Sequence, residues 1–208
     1  MKKITILDYG MGNIRSLYNA FNYLGYDVNF CNDGKKIDSN FLVLPGVGAF
    51  SAATNLLKKK KLDINIKDFA KSKNNFVLGI CLGMQLLFTN GNEGGKEKGL
   101  GLIDGSVEKI DEKKPNLKLP NIGWSKINIV NNSFLNIDSF NNTDFYFIHS
   151  YVGIPDKSDN IVANSTYKQN KFCSIVTNKK NILGTQFHPE KSGENGLEFL
   201  KNLVKQII

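Results

Sequence analysis

The stretch that decides the fold runs Phe76-Val77-Leu78-Gly79-Ile80-Cys81-Leu82-Gly83-Met84-Gln85. A short apolar run meets Gly-x-Cys-x-Gly, and a helix-like segment follows. When a strand turns sharply into a helix, the turn residue is presented at the carboxyl end of the strand, and small residues on both sides let neighbouring backbone approach. The pattern therefore predicts a nucleophile elbow with Cys81 at its turn.

Strand-like and helix-like segments alternate through the first half of the chain. Ile4 to Leu7 is β-favouring, and the apolar positions from Ile14 to Leu24 recur at helical spacing until Gly25, a natural helix stop. The next β-favouring runs are Val28 to Cys31, Phe41 to Leu44 and Phe76 to Ile80. This alternation predicts an α/β fold with a mixed, mainly parallel central sheet and helices on both faces, whose reactive loops gather at the carboxyl ends of the strands.

The second half favours antiparallel strands added to that sheet. Glycines crowd positions 91–105, and asparagine-rich turns separate the later β-favouring runs. Those runs are Lys126 to Val130, Asp144 to His149, Phe172 to Val176 and Ile182 to Phe187. An amphipathic pattern from Leu197 to Val204 predicts a closing helix. The length of 208 residues fits one domain spanning 1–208.

Composition limits the location of the protein. No segment approaches the roughly 18 uninterrupted apolar residues of a membrane helix, and the amino terminus has no apolar stretch typical of a signal peptide. Three cysteines at unrelated spacings make no disulfide framework. We therefore expect a cytoplasmic protein with no membrane partner.

The net charge of +8 raises the question of nucleic acid. Arg15 is the only arginine, however, and bidentate contacts to phosphates and bases favour arginine over lysine. The run from Lys58 to Lys61 follows a helical segment and has no interleaved aromatics, so a solvated lysine face is the favoured interpretation. We expect no nucleic-acid partner.

Cys81, His188 and Glu190 fit the three roles of a cysteine nucleophile site. A thiol of ordinary pKa, about 8.5, is only slightly ionised at neutral pH, so an adjacent imidazole helps to generate the thiolate. A carboxylate on the other ring nitrogen fixes the tautomer of the imidazole. Each residue alone has a structural alternative: a core cysteine, a satisfied histidine or a capped turn at His188-Pro189-Glu190. Zinc would normally require Cys-x-x-Cys or His-x-x-x-His spacing, which is absent, so no metal or other cofactor is expected.

Acyl transfer also needs hydrogen-bond donors for a tetrahedral oxyanion. The backbone N–H of Leu82, directly after Cys81, is one candidate. The loop Pro45-Gly46-Val47-Gly48 follows a predicted neighbouring strand, and Val47 or Gly48 is the second candidate. An ordinary Pro-Gly turn explains the same glycines, so the residues alone leave both interpretations open.

At this point the chain resembles the class I, triad-type glutamine amidotransferases, and more narrowly the glutaminase subunits of imidazole glycerol phosphate synthase. The resemblance runs nearly end to end. Its segments are Asp8-Tyr9-Gly10-Met11-Gly12-Asn13, Leu44-Pro45-Gly46-Val47-Gly48-Ala49-Phe50, Gly79 to Phe88, Gly123-Trp124, Tyr146-Phe147-Ile148-His149-Ser150-Tyr151 and Gln186-Phe187-His188-Pro189-Glu190-Lys191-Ser192.

The resemblance implies an enzyme that hydrolyses the side-chain amide of L-glutamine through a cysteinyl thioester. It also implies a heterodimer in which the ammonia passes to a (β/α)8-barrel cyclase, which makes imidazole glycerol phosphate and an aminoimidazole ribotide in histidine biosynthesis. By motif position, the implied glutamine-binding residues are Gly46, Gln85, Glu93, His149, Ser150 and Tyr151. The implied partner-facing residues are Asn13, Trp124 and Tyr146.

One segment departs from the family pattern. Family members commonly read Pro-His-x-Gly-Trp-Asn where this chain has Pro120-Asn121-Ile122-Gly123-Trp124-Ser125. Paralogous subunits of this type serve other synthases, including enzymes that amidinate sugars of surface glycans. A catalytically silent regulatory protein on the same fold is a further alternative.

Overall fold

The computed structural model describes residues 2–32, 37–111, 117–131 and 134–208. The helices are α1 (Ile14–Tyr23), α2 (Phe50–Lys59), α3 (Leu62–Lys71), α4 (Leu82–Leu86) and α5 (Gly193–Ile207). The strands of the first half are β1 (Lys3–Leu7), β2 (Asp27–Cys31), β3 (Phe41–Leu44), β4 (Phe76–Ile80), β5 (Phe88–Gly91), β6 (Glu97–Lys98) and β7 (Ile103–Lys109). Those of the second half are β8 (Asn121–Lys126), β9 (Asn128–Ile129), β10 (Asp144–His149), β11 (Tyr151–Pro155), β12 (Ile161–Tyr167), β13 (Asn170–Thr177) and β14 (Ile182–Thr185).

The central sheet of the described residues has eight strands in the order β2-β1-β3-β4-β14-β13-β12-β9. The strands from β2 to β14 in this order run parallel. The strands β13, β12 and β9 add antiparallel pairs at the far side. The predicted mixed, mainly parallel sheet is thus confirmed. Its carboxyl-end edge is where β3, β4 and β14 deliver their loops.

Two apolar layers cover this sheet, one on each face. Leu17 of α1 and Phe199 of α5 belong to one buried cluster. Leu57 of α2 and Ile66 of α3 belong to the other. The strands β3 and β4 are buried along their whole lengths, because their near-continuous apolar runs have helices on both sides. Helices on both faces are therefore confirmed.

The second half departs in part from the expected additions to the central sheet. The strand β10 pairs with β8 in a separate two-stranded sheet, and β11-β7-β5-β6 form a third sheet. The expected strand from Lys126 to Val130 is wrong in its bounds, because β8 ends at Lys126 and only Asn128–Ile129 forms β9. Ile127 between them is fully buried and turns away to bond Thr143. Local patterns show which residues favour strands but not which strand each will pair with.

Within the described residues, no helix is both long and apolar enough to cross a membrane.

Candidate active site

Cys81 occupies a strained turn between β4 and α4. Its backbone angles are φ 54° and ψ −110°, a region that residues with a side chain rarely adopt. The flanking glycines permit the close approach of the two elements. A Cβ at Gly83 would lie 1.8 Å from the carbonyl oxygen of Leu44, and one at Gly79 would lie 2.7 Å from the carbonyl oxygen of Gly83. The predicted strand–turn–helix geometry at Cys81 is present.

Ser192 and β10 position the segment that carries His188. The backbone N–H of His188 donates to the carbonyl oxygen of Tyr146 across 2.9 Å. The hydroxyl of Ser192 donates to the carbonyl oxygen of His188 across 2.6 Å and accepts from the N–H of Tyr146 at 3.0 Å. A short 3-10 helix, Pro189–Lys191, then turns the chain towards α5. These contacts fix the backbone on both sides of the imidazole.

His188 and Glu190 form a buried pair behind the nucleophile. His188 Nδ1 lies 2.8 Å from Glu190 Oε1, and both side chains are almost fully buried. Among the described residues, His188 Nε2 has no hydrogen-bond partner. The Cys81 sulfur is close enough to the imidazole to change the pKa of His188, although the contact does not have the geometry of a conventional hydrogen bond. We assign the Nδ1–H tautomer, which donates to Glu190 and leaves the Nε2 lone pair for the thiol proton.

The charges around His188 favour its protonated form once the sulfur is ionised. Burial in itself lowers the pKa of the imidazole. The negative charge of an ionised Cys81, the close approach of its sulfur to the ring and the hydrogen bond with Glu190 outweigh burial and raise the pKa of His188 from 6.5 to about 10. A thiolate–imidazolium pair is therefore the stable form of the ionised site.

The sulfur has two further polar neighbours. The carbonyl oxygen of Ile148 and the side-chain nitrogen Nε2 of Gln186 each lie 3.7 Å from Cys81 Sγ. Neither residue has a role that the sequence alone predicts. Gln186 lies two positions before His188 in the quoted motif, and that position was the only signal for it.

A cavity of about 180 Å³ opens in front of Cys81. Small volume and mixed lining suit an amino-acid-sized ligand better than a drug-sized one. We call it the Cys81 cavity, and its lining residues are Val47, Gly48, Cys81, Leu82, Gln85, Glu93, Ile148, His149, Ser150 and Tyr151.

The structure thus brings the expected oxyanion donors and most of the expected glutamine-binding residues to one cavity. Gly46 is not part of its lining. A Cβ at Gly46 would lie 2.7 Å from the Tyr9 hydroxyl and 2.9 Å from Leu82 Cβ, so this glycine serves close packing beneath the loop. The Tyr9 hydroxyl also donates to the carbonyl oxygen of Pro45 across 3.0 Å. Gly48 has φ +108°, a conformation that glycine adopts without strain.

Glu93 lies at the cavity and at the amino end of α2. Its Oε2 accepts a hydrogen bond from the backbone N–H of Phe50 across 3.1 Å. Partial burial raises the pKa of Glu93, and this hydrogen bond opposes the rise. Within the described part of the chain this half-buried carboxylate has no cationic partner, so it is suited to the ammonium group of a ligand.

Burial holds His149 neutral, and two hydrogen bonds fix its tautomer. Its Nδ1 lies 3.0 Å from the carbonyl oxygen of Tyr151, and its Nε2 lies 3.1 Å from Asn121 Nδ2. A carbonyl oxygen can only accept, so Nδ1 carries the proton and Nε2 accepts from the Asn121 amide. Burial lowers the pKa of His149 to about 4. Asn121, which stands where family members commonly have histidine, thus contacts His149 in the lining of the cavity.

The expected partner-facing residues lie outside the cavity. Trp124 is 55% exposed and packs edge-on against Tyr146, with ring centroids 6.0 Å apart. Exposed Ile122 and Ile148 lie opposite each other on the same pair of strands. Asn13 is exposed, and its side chain caps α1 by accepting from the N–H of Ser16 at 3.3 Å. We call the outward face formed by Ile122, Trp124, Tyr146 and Ile148 the apolar ribbon.

Over the ranges that the structure describes, no three His, Cys, Asp or Glu side chains are grouped to hold a metal ion.

Comparison with known proteins decides the family. The model of the family "Glutamine amidotransferase class-I" matches residues 5–207. A protein of Prochlorococcus marinus named imidazole glycerol phosphate synthase subunit HisH is 40% identical over the whole of both chains. The protein of the same name from Lactococcus lactis is 43% identical, again over the whole of both chains.

The chain belongs to the HisH family of class-I glutamine amidotransferases. The narrower resemblance drawn from the HisH-like motifs is thereby confirmed.

Solved structures share the fold at low sequence identity. A structure of PurLQS from Thermotoga maritima superposes with a TM-score of 0.77 at 18% identity, covering 100% of this chain and 99% of the other. A glutamine amidotransferase from Thermotoga maritima gives a TM-score of 0.64 at 16% identity, covering 99% of this chain and 84% of the other. These likenesses support the fold of this HisH-family chain and nothing narrower.

Proposed function

We propose that this chain hydrolyses L-glutamine by a Cys81-His188-Glu190 triad. His188 Nε2 takes the proton of Cys81, and the thiolate attacks the side-chain carbonyl carbon of glutamine. As the carbon–nitrogen bond breaks, His188 returns the proton to the departing ammonia, which leaves a thioester on Cys81. Water, deprotonated by His188, then attacks the thioester and releases glutamate. The observation that carries the proposal is the strained turn that places Cys81 in the lining of the cavity, beside a buried, carboxylate-paired imidazole.

The Cys81 cavity supports a specific orientation of glutamine. Glu93 would bind the α-ammonium group, because a half-buried carboxylate gains most from a charged donor. Gln85, His149, Ser150 and Tyr151 would contact the rest of the ligand. The backbone N–H groups of Leu82 and of Val47 or Gly48 would stabilise the tetrahedral oxyanion, which is usually a large part of catalysis in acyl transfer. Gly46 would act beneath this loop.

The released ammonia would pass to a (β/α)8-barrel cyclase in a heterodimer. At neutral pH, ammonia in water is mostly protonated and no longer nucleophilic, so direct transfer is required. The partner would add the nitrogen to a phosphorylated ribosyl intermediate and form imidazole glycerol phosphate and aminoimidazole carboxamide ribotide in histidine biosynthesis. Full-length identity of about 40% to subunits of imidazole glycerol phosphate synthase supports this acceptor.

The apolar ribbon supports the position of the partner. Exposed Trp and Tyr side chains are enriched at the centres of protein interfaces. Ile148 belongs both to this face and to the lining of the Cys81 cavity, so a partner bound there would lie next to the site of ammonia release. Asn13 would extend the same interface.

We further propose that residues 1–208 act as one glutaminase domain in the cytoplasm. The family match across residues 5–207 supports the single domain. The three free, buried cysteines are compatible with a reducing compartment.

The test is glutamate release by the chain co-purified with its cyclase, followed by ammonia transfer to the ribosyl intermediate. Cys81→Ala should abolish glutamate release, because the covalent route then lacks its attacking atom. Cys31→Ala, at the end of edge strand β2, is the matched control and should retain activity. Unchanged turnover in Cys81→Ala would remove the triad, and a normal glutaminase that transfers no ammonia to the cyclase would remove the proposed acceptor.

A further inference from the structure

Gln186 is a fully buried polar residue that the mechanism above does not use. It follows β14 directly, and its backbone N–H donates to the carbonyl oxygen of Ser174 across 2.9 Å. Among the described residues, its side chain bonds to two polar groups only, the Cys81 sulfur and the carboxamide of Gln85. A buried carboxamide with this placement has a defined chemical environment on each of its two ends.

Hydrogen-bonding logic fixes which end of Gln186 faces the sulfur. Gln85 Nε2 lies 2.9 Å from the carbonyl oxygen of Tyr151, and only the amide nitrogen of Gln85 can donate to it. The same nitrogen lies 3.2 Å from Gln186 Oε1, so Gln186 must turn its oxygen towards Gln85. In the flipped orientation, the NH2 group of Gln186 would face the NH2 group of Gln85, and neither could accept a hydrogen bond. Its N–H group is therefore directed at Cys81 Sγ, 3.7 Å away.

This donor matters because of what lies across the sulfur. The carbonyl oxygen of Ile148 is also 3.7 Å from Cys81 Sγ. That oxygen accepts from a thiol but repels a thiolate. The N–H of Gln186 has the opposite preference, because hydrogen bonds to a charged acceptor are stronger than those to a neutral one. In a buried site, where the effective dielectric constant is low, this difference is amplified.

We propose that Gln186 stabilises the thiolate of Cys81 through its side-chain N–H, with Gln85 and the Tyr151 carbonyl holding the amide in the donating orientation. This role rests on the proposed function, in which the same sulfur is the nucleophile. It adds a donor that supports the charge before the substrate arrives, whereas Leu82 and the Val47–Gly48 loop act on the later oxyanion. Because Gln85 also lines the Cys81 cavity, a ligand that contacts Gln85 also affects the orientation of the Gln186 amide.

The experiment measures ionisation of the sulfur without glutamine. The full chain is alkylated with iodoacetamide over a range of pH, and modification of Cys81 is followed by mass spectrometry. The thiolate displaces iodide, so the rate reports the thiolate fraction. Cys81→Ala provides the background from Cys31 and Cys173, which are buried. In Gln186→Met, of similar length but without the donor, the midpoint of the rate–pH profile should rise by roughly one to two units. The rate at neutral pH should fall roughly 10- to 100-fold.

Ser174→Ala is the matched control. Ser174 accepts the backbone N–H of Gln186 through its own carbonyl oxygen, and its buried hydroxyl has no partner among the described residues. The substitution removes only that hydroxyl and leaves the contacts of the sulfur unchanged. Its profile should coincide with that of the wild type. Gln85→Met, which leaves the Gln186 amide in place but frees it to rotate, should give a smaller upward shift.

The proposal is overturned if the midpoint in folded Gln186→Met stays within about 0.3 units of the wild type, or, should that variant not fold, if Gln85→Met gives no upward shift. Failure here is distinct from failure of the proposed function. A wild-type chain that hydrolyses glutamine while Gln186→Met has a normal alkylation profile refutes only the role of Gln186.

Discussion

The backbone N–H of Cys81 donates to the carbonyl oxygen of Thr185 across 2.7 Å. This bond continues the parallel pairing of β4 with β14, in which Ile80 lies opposite Thr185. Cys81 therefore lies one residue past the end of β4, and His188 lies three residues past the end of the neighbouring strand β14. Two residues far apart in the sequence meet because their strands are adjacent and end at the same edge of the sheet.

Glu190→Gln tests the contribution of the buried carboxylate. The change keeps the shape of the side chain but removes the charge that helps to raise the pKa of His188. Because hydrogen bonds to charged groups are worth about 1.5–3 kcal/mol, kcat for glutamine hydrolysis should fall roughly 10- to 100-fold. The upper limb of the kcat–pH profile should move to lower pH. Glu194→Gln is the control, because Glu194 is an exposed residue of α5. A pH profile of Glu190→Gln that matches the profile of this control would contradict the assigned role.

His149→Gln tests the neutral state of the second histidine. The folded pKa of His149, about 4, lies below its unfolded value of about 6.5, so the unfolded chain binds the proton more readily. The stability due to neutral His149 is present above the unfolded pKa and is lost as the pH falls towards 4. Between about pH 7.5 and about pH 5 the wild type should lose about 2 kcal/mol of unfolding free energy relative to His149→Gln.

The measurement is urea unfolding of both proteins at the two pH values. Titration of His188 is common to both chains and cancels in the difference. A difference that does not change with pH would show that His149 titrates normally in the folded protein.

Gly83→Ala tests the elbow itself. A Cβ there would lie 1.8 Å from the Leu44 carbonyl oxygen, so α4 must shift away from β3. Overpacking of this kind costs about 1–3 kcal/mol or more of unfolding free energy. Gly101→Ala, where nothing crowds the added Cβ but φ is +64°, isolates the backbone cost of about 1 kcal/mol. Thermal unfolding should rank Gly83→Ala below Gly101→Ala, and the reverse order would contradict the crowded turn.

Trp124→Ala tests the apolar ribbon as the partner surface. Truncation of a buried aromatic anchor at an interface costs about 2 kcal/mol or more, which corresponds to a dissociation constant at least about 30-fold higher. Calorimetric titration with the cyclase measures this constant. Tyr23→Ala, which removes another exposed aromatic on α1, should bind normally. Equal affinities for the two variants would place the partner elsewhere.

Much of the fold was predictable because the deciding signals are local. The bounds of β3, β4 and β10 match the β-favouring runs of the sequence residue for residue, and the elbow requires glycine at positions 79 and 83 because a side chain there would be crowded. A chemical motif such as His188-Pro189-Glu190 is equally local, since the carboxylate reaches the ring two residues away.

The remaining features depend on pairing between distant segments. The sheet of β11, β7, β5 and β6 contains short strands whose partners no local pattern specifies. Asn121 and Gln186 are polar residues near the ends of strands, where polar residues are ordinary. Their roles depend on contacts with His149 and Cys81, which are distant in the sequence. Periodicity shows that a position is buried, but it does not show which polar group will share that space.

The left-handed backbone at Cys81 implies a conflict between durability and catalysis in this protein. A conformation of this kind costs about 1–3 kcal/mol for a residue with a side chain, and glycine would relieve it. A chain with Cys81→Gly should thus melt at a higher temperature while losing all turnover. Selection for thermal resistance alone would erase the very residue that makes the molecule an enzyme, so only continued demand for ammonia maintains it.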